Sequence, residues 1–334
     1  MLEHGGRLRR AAEQYGIPLS DWLDLSTGIN PNGWPVPALP ASCWQRLPEE
    51  DDALLLAARR YYQNESLLAV AGSQAAIQTL PFLRPKSRVG VLHPAYAEHA
   101  AGWRKVGHDV TVAEANAIGE HLIDLDVVIL INPNNPTGQS WQTQQLLTWQ
   151  EQLAARGGWL IVDEAFVDGL PESSLAATPV RPGLIVLRSI GKFFGLAGIR
   201  CGFVIAESHL LAQLTERLGP WTISHPARFV ATQALLDTVW QVETAAALAD
   251  QGRRLAQLLA ANGWPPSGGC HLFQWIKSDA AEKLHVLLAE QGILTRFFND
   301  PASLRFGLPK SEADWERLSR ALQNPGIKAL LNQG

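Results

Sequence analysis

Cysteine is scarce: Cys43, Cys201 and Cys270 are odd in number, far apart and free of any CxxC pair. That pattern excludes a disulfide framework and offers no zinc-ligand spacing, so no metal site is expected. It fits a reducing, cytoplasmic setting. No uninterrupted apolar run is long enough to span a bilayer, and Met1-Leu2-Glu3-His4-Gly5-Gly6 lacks the apolar core of a signal peptide. There is no basic block either. The chain carries 28 Lys and Arg against 32 Asp and Glu, a net charge of -4, with both signs spread along its length. Neither nucleic acid nor a membrane surface is therefore an expected partner. Internal repeats and low-complexity segments are also missing.

What remains is a chain of 334 residues, 46% apolar, long enough for two domains with a real core. Helical periodicity runs from Gly6 to Gly16 and again from about Asp51 to Tyr62. Between them Pro31, Pro35, Pro37 and Pro40 forbid regular structure. From Leu67 the texture becomes strand, loop, helix. Apolar runs at 67–70, 88–92, 108–112, 127–131, 159–162, 184–187 and 201–205 read as strands of an α/β sheet. The chain is helical from His209 to about Asn262. The tail alternates strands at 272–276, 293–297 and 303–308 with helices at 281–291 and 313–322.

The chemistry-bearing residues fall at strand ends, where ligands bind in open α/β sheets. Gly72-Ser73-Gln74 opens a helix after the first strand. It reads as a phosphate cup of backbone N–H groups, or equally as an ordinary Ser cap. Tyr96 is either core filler or a flat platform for a heteroaromatic ring. Asn132-Pro133-Asn134-Asn135-Pro136-Thr137-Gly138 is a rigid turn with amide donors. Asp163 ends a buried apolar strand. In Ser189-Ile190-Gly191-Lys192, followed by Arg200, a lysine able to form a Schiff base sits between a hydroxyl and a guanidinium fork able to hold a phosphate. Alone, that last stretch is also a Lys/Arg pair on a surface loop.

In this order the features resemble fold-type-I enzymes that use pyridoxal 5'-phosphate, in the branch of the aspartate and histidinol-phosphate aminotransferases. The resemblance spans nearly the whole chain. It implies a large domain with a mostly parallel central sheet flanked by helices, a smaller α+β domain, and a homodimer. It also implies roles. Lys192 would carry the cofactor as a Schiff base and move protons, and Asp163 would pair with the pyridine nitrogen. Asn135 would bond the ring hydroxyl, and Tyr96 would stack on the ring. Gly72, Ser73, Gln74, Ser189 and Arg200 would hold the phosphate, and Arg305 a substrate α-carboxylate. Two departures stand out. Phe166 replaces a tyrosine common in this branch, and Arg46-Leu47-Pro48 lacks the tyrosine that reaches a partner's cofactor phosphate.

His4-Gly5-Gly6 and Asp24-Leu25-Ser26-Thr27-Gly28-Ile29-Asn30-Pro31 look like the N-terminus of the L-threonine O-3-phosphate decarboxylases of cobalamin biosynthesis. Asp163-Glu164-Ala165-Phe166 fits that group too. The implied reaction converts L-threonine O-3-phosphate to (R)-1-amino-2-propanol O-2-phosphate and carbon dioxide. A substrate phosphate needs its own anion site, expected among His4, Gly5, Asn30 and Arg296. A histidinol-phosphate-type aminotransferase would share every cofactor residue, and a non-catalytic partner subunit in cobalamin assembly would need neither Lys192 nor Asp163. The expected divisions are an arm at 1–40 packing with the small domain, a large domain at 41–225 and a small domain at 226–334.

Overall fold

The computed structural model describes residues 4–115 and 117–331. Met1-Leu2-Glu3, part of the stretch read for a signal, lies outside them. The chain divides into two compact units. The larger comprises Gly33–Asn135 and Gln139–Ala245. The smaller takes the chain up to Asn32, Pro136–Gly138 and the chain from Ala246 onward. These borders differ from those expected at 40/41 and 225/226. Trp34 belongs to the larger unit because its indole Nε1–H donates to Asp237 Oδ2 at 3.0 Å and its amide to the Phe194 carbonyl at 2.9 Å. Helix His225–Leu236 stays there as well. Ala227, Val230, Ala231 and Ala234 are buried, and the Arg228 guanidinium holds Asp52 at 2.6 Å.

Among the described residues the larger unit carries a seven-stranded sheet. Its strands lie side by side in the order Leu67–Val70, Gly202–Ile205, Leu184–Ser189, Trp159–Asp163, Val127–Ile131, Arg88–Leu92 and Asp109–Ala113. Gly202–Ile205 runs antiparallel to both of its neighbours, and the other adjacent pairs are parallel. Val127–Ile131 and Trp159–Asp163 are buried at every position, as continuous apolar runs covered on both faces must be. On one face Ile129, Ile161, Ile185 and Leu187 pack with Ile77, Leu80, Trp103, Leu210 and Leu214 in one core cluster. Each fully buried side chain of this size contributes about 1.5–3 kcal/mol.

The smaller unit has a four-stranded antiparallel sheet ordered Arg296–Asn299, Ala302–Gly307, Phe273–Lys277, Gly268–Cys270. A short parallel pair joins Leu23–Asp24 to Ile293–Leu294. The arm helix Leu8–Tyr15 ends at Gly16, whose φ of 66° is the left-handed conformation glycine adopts readily. Its Ala11 packs with Trp22, Ala289 and Leu294, which fixes the arm to this unit. No helix among the described residues is long and apolar enough to cross a membrane.

Candidate active site

Strand register assembles the cofactor side within the larger unit. Asp163 is paired with Ile131 on one side and Leu187 on the other, so it ends its strand beside the Asn132–Asn135 turn and the Ser189 stretch. Its carboxylate is 4% exposed. It accepts from the Ala165 amide at Oδ1, 3.1 Å away, and from His99 Nε2 at Oδ2, 3.0 Å away. Two hydrogen bonds hold this buried carboxylate in one orientation. Within the Asn turn, Asn132 Oδ1 accepts from the Trp141 amide at 3.0 Å, and Asn134 Nδ2 donates to the Pro94 carbonyl at 2.9 Å. These two buried asparagines brace the turn, and half-buried Asn135 is the member at its exposed end.

Gly202 pairs with Ser189 and with Val70, which brings the Ser189 strand end beside the turn at Gly72. Gly72 caps helix Ser73–Thr79 with φ 72° and ψ 155°, and no side chain caps that helix. The alternative of a Ser cap is therefore not realised: Ser73 is already helical. A Cβ on Gly72 would sit 2.6 Å from Arg200 Nη2. The space a side chain would take belongs to the guanidinium, which lies against the positive end of the helix. Together they form a cradle suited to a phosphate. The Gln74 side chain is engaged away from the cradle. Its Oε1 accepts from the Tyr96 hydroxyl at 3.1 Å and its Nε2 donates to Glu98 at 3.0 Å. Only its backbone remains for an anion. The ammonium of half-buried Lys192 lies 5.5 Å from the centre of the Phe166 ring. Ser189 Oγ accepts from the Gly191 amide at 3.3 Å, which turns the chain toward Lys192.

In the smaller unit Arg296 and Arg305 are direct cross-strand partners. Like charges opposite each other are unfavourable unless an anion lies between or beside them. Arg305 is buried, its Nη2 donates to the Ser26 carbonyl at 2.9 Å, and its guanidinium lies 5.2 Å from the Phe273 ring centre. Burial first, and then Arg296, bring its pKa down to about 10. Ser26 ties this arginine to the arm: its hydroxyl accepts from the Gly6 amide at 2.7 Å and donates to Asp24 Oδ1 at 2.6 Å. Gly5 passes against the Ser26 carbonyl at a distance no side chain allows. A cavity of about 270 Å³ opens here, walled by His4, Gly5, Arg7, Arg10, His285 and Arg296 among others. Asn30 is buried in a turn, where its Oδ1 accepts from the Asn32 amide at 2.9 Å.

Residues 49–322 match the family described as aminotransferase class I and II. The chain belongs to that family. Among members of this aminotransferase family it is 55% identical over 322 residues to the threonine-phosphate decarboxylase of Pseudomonas aeruginosa, covering 96% of this chain and 97% of that one. It is 42% identical over 330 residues to a threonine-phosphate decarboxylase of Sinorhizobium, with the same coverage. Its fold matches the histidinol-phosphate aminotransferase of Sinorhizobium meliloti in complex with pyridoxal-5'-phosphate. That match has a TM-score of 0.83 at 20% identity and covers 98% of this chain and 96% of that one.

The aminotransferase cofactor suits the residues present. The Gly72 cradle is suited to a phosphate, the buried Asp163 carboxylate is suited to a protonated ring nitrogen, and Lys192 and Asn135 offer an amine and an amide. Several residues escaped the sequence reading. His99 lies on helix Glu98–Val106, which was not expected, and the spacing from Tyr96 to His99 was the available signal. Ser26 sat within a quoted motif without a role. Arg7 and Arg10 lie on the polar side of the first helix pattern, and His285 carried no reading beyond its place in the helix at 281–291. The last group is Arg188, which holds Glu164 at 2.7 Å and Asp168 at 2.6 Å on the opposite side of the strand end from Asp163.

Proposed function

We propose that this protein decarboxylates L-threonine O-3-phosphate to (R)-1-amino-2-propanol O-2-phosphate and carbon dioxide. The reaction uses pyridoxal 5'-phosphate, belongs to cobalamin biosynthesis, and is carried out by a cytoplasmic homodimer. The observation that carries the choice of reaction is the 55% identity, over nearly the full length of both chains, to a threonine-phosphate decarboxylase. The site chemistry supports it. The substrate carries a carboxylate and a phosphate, and the smaller unit offers the buried Arg305 and a separate basic cavity with His4 and Arg296.

When bound, the cofactor supplies an electron sink for the pair released at the substrate α-carbon. Gly72, Ser73, the Gln74 backbone, Ser189 and Arg200 would hold its phosphate, Lys192 its carbonyl carbon and Asn135 its ring oxygen. Asp163, oriented by His99 and Ala165, would pair with its protonated ring nitrogen. Tyr96 would cover the ring. Arg305 would bind the substrate carboxylate. His4, Gly5 and Arg296 would bind the substrate phosphate, while Asn30, expected with them, holds the turn that closes on Asn32. The net change exchanges the bond from Cα to the carboxylate for a bond from Cα to hydrogen. One proton is taken up, and Lys192 is its donor.

The test is carbon dioxide release from L-threonine O-3-phosphate by the holoenzyme with no keto acid added. Stoichiometric aminopropanol phosphate is expected. A strict requirement for 2-oxoglutarate would overturn the reading in favour of a histidinol-phosphate-type aminotransferase.

A further inference from the structure

The side chain of Gln74 joins the turn at Gly72 to the aromatic at the next strand end. Its Oε1 accepts from the Tyr96 hydroxyl at 3.1 Å, and its Nε2 donates to Glu98 Oε2 at 3.0 Å. Gln78, one turn further along helix Ser73–Thr79, donates to the same carboxylate oxygen at 3.0 Å. A carboxylate oxygen accepts, whereas an amide has a donating end and an accepting end. Glu98 takes the donating end of Gln74, and that turns the amide oxygen toward the phenol.

What this does to Tyr96 follows from the shape of the side chain. The phenol oxygen lies on the axis about which the ring turns. Holding that oxygen fixes where the ring points but not its rotation. Other neighbours fix the rotation. The ring stands edge-on to His99, with planes at 82°, and packs against the core cluster that includes Ile77 and Trp103. His99 in turn holds Asp163 Oδ2 at 3.0 Å. A continuous set of contacts therefore runs through Gln74, Tyr96, His99 and Asp163, from the phosphate cradle to the carboxylate proposed for the ring nitrogen. All four residues lie in the larger unit.

We infer that Gln74 is a positioning residue for the cofactor: its side chain, anchored by Glu98, fixes the tilt of the Tyr96 ring. This rests on the reading that Tyr96 covers the cofactor ring. A cover held at one tilt keeps the cofactor in one orientation. A loose cover spreads the orientations of the bond to be broken, which costs kcat rather than substrate binding.

The test compares holoenzymes of wild type, Gln74→Leu, Tyr96→Phe, Gln74→Leu with Tyr96→Phe, Tyr96→Ala, Gln74→Glu, and the exchanged pair Gln74→Glu with Glu98→Gln. The measurements are the circular dichroism of the cofactor band per bound cofactor, the dissociation constant of pyridoxal 5'-phosphate, and kcat and KM for L-threonine O-3-phosphate. Gln74→Leu and Tyr96→Phe both break the bond between these residues. Each is expected to weaken the dichroism, to raise the cofactor dissociation constant about fivefold, the loss of one hydrogen bond, and to lower kcat with KM little changed. The double variant should be no worse than Gln74→Leu alone. A variant that is merely less stable keeps the wild-type dichroism per bound cofactor. Gln74→Glu sets two carboxylates against each other and should show the same defects. The exchanged pair restores an amide-to-carboxylate bond and keeps an acceptor for the phenol, so it should recover most of the wild-type signal. If the effects of Gln74→Leu and Tyr96→Phe add, or the exchanged pair recovers nothing, the inference is wrong. If Gln74→Leu leaves the dichroism intact while Tyr96→Ala abolishes it, the inference is wrong and the reading of Tyr96 stands. If Tyr96→Ala also leaves it intact, Tyr96 does not cover the ring and both fall.

Discussion

The Tyr96 hydroxyl donates to Gln74, and its ring stands edge-on to His99 with centroids 6.2 Å apart. Burial first, then the Glu98 and Asp163 carboxylates, push its pKa up to about 12, with Arg200 pulling the other way. The phenol therefore stays a neutral donor at every pH at which the enzyme works. A group whose pKa rises on folding holds its proton more tightly in the native state. Its stabilising effect is complete below about pH 10, the unfolded value, and is lost as the pH climbs through about 12. Urea unfolding between pH 9.5 and 11.5 is expected to show wild type losing more stability than Tyr96→Phe. Equal losses would mean that the native state does not hold the phenolic proton. The strand-end aromatic was legible in the sequence, but its partner was not. The backbone of Gln74 read as part of a phosphate cup, whereas its side-chain bonds to Tyr96 and Glu98 were not foreseen because helix Glu98–Val106 went unread.

At the level of elements, the buried Arg188 fastens three of them. It reaches Glu164 and Asp168 in the segment after strand Trp159–Asp163, and the Tyr61 hydroxyl on helix Ala53–Tyr62 donates to Asp168 at 3.0 Å. Burial works against the Arg188 charge, but Asp168 and Glu164 outweigh it, and its pKa lies above the ordinary value. Burial raises the Glu164 pKa, with Arg188 as the main opposing influence. Removing the cation alone strands two carboxylates in the interior. Arg188→Met is expected to cost about 3–5 kcal/mol in urea unfolding. The triple variant Arg188→Met, Glu164→Gln, Asp168→Asn should recover most of that, because no net charge is left buried. If the triple variant is no better than the single, lost packing rather than uncompensated charge sets the cost. Adjacent strand residues point to opposite faces, so Asp163 and Glu164 part company although the motif lists them together. An arginine inside an apolar strand run was the signal for this network. The long apolar strands were legible for the same reason they fold, namely burial on both faces. Gly268–Cys270 was not, since two glycines and a cysteine carry no apolar alternation.

Across the whole molecule, the residues proposed for the cofactor all lie in the larger unit and those proposed for the substrate all in the smaller one. That partition was only half legible, because strand ends announce a cofactor site, whereas the phosphate residues are spread from His4 to Arg296. It makes the two functions separable by experiment. Arg305 is held by the Ser26 carbonyl and the Phe273 ring, and lysine cannot reproduce its planar fork. Arg305→Lys is expected to raise KM for L-threonine O-3-phosphate by about a hundredfold, the equivalent of one lost bidentate pair at about 3 kcal/mol. The absorbance of the bound cofactor and its reduction onto Lys192 by borohydride should be unchanged. Lys192→Ala should do the reverse. Borohydride fixes no cofactor to the chain and activity is lost, yet inorganic phosphate still binds the cavity of the smaller unit with wild-type affinity in calorimetry. In that background Arg296→Ala should abolish the phosphate binding; if Arg200→Ala abolishes it instead and Arg296→Ala does not, the anion measured belongs to the cofactor cradle at Gly72 and Arg200, and the assignment of the small-unit cavity would then have to be abandoned.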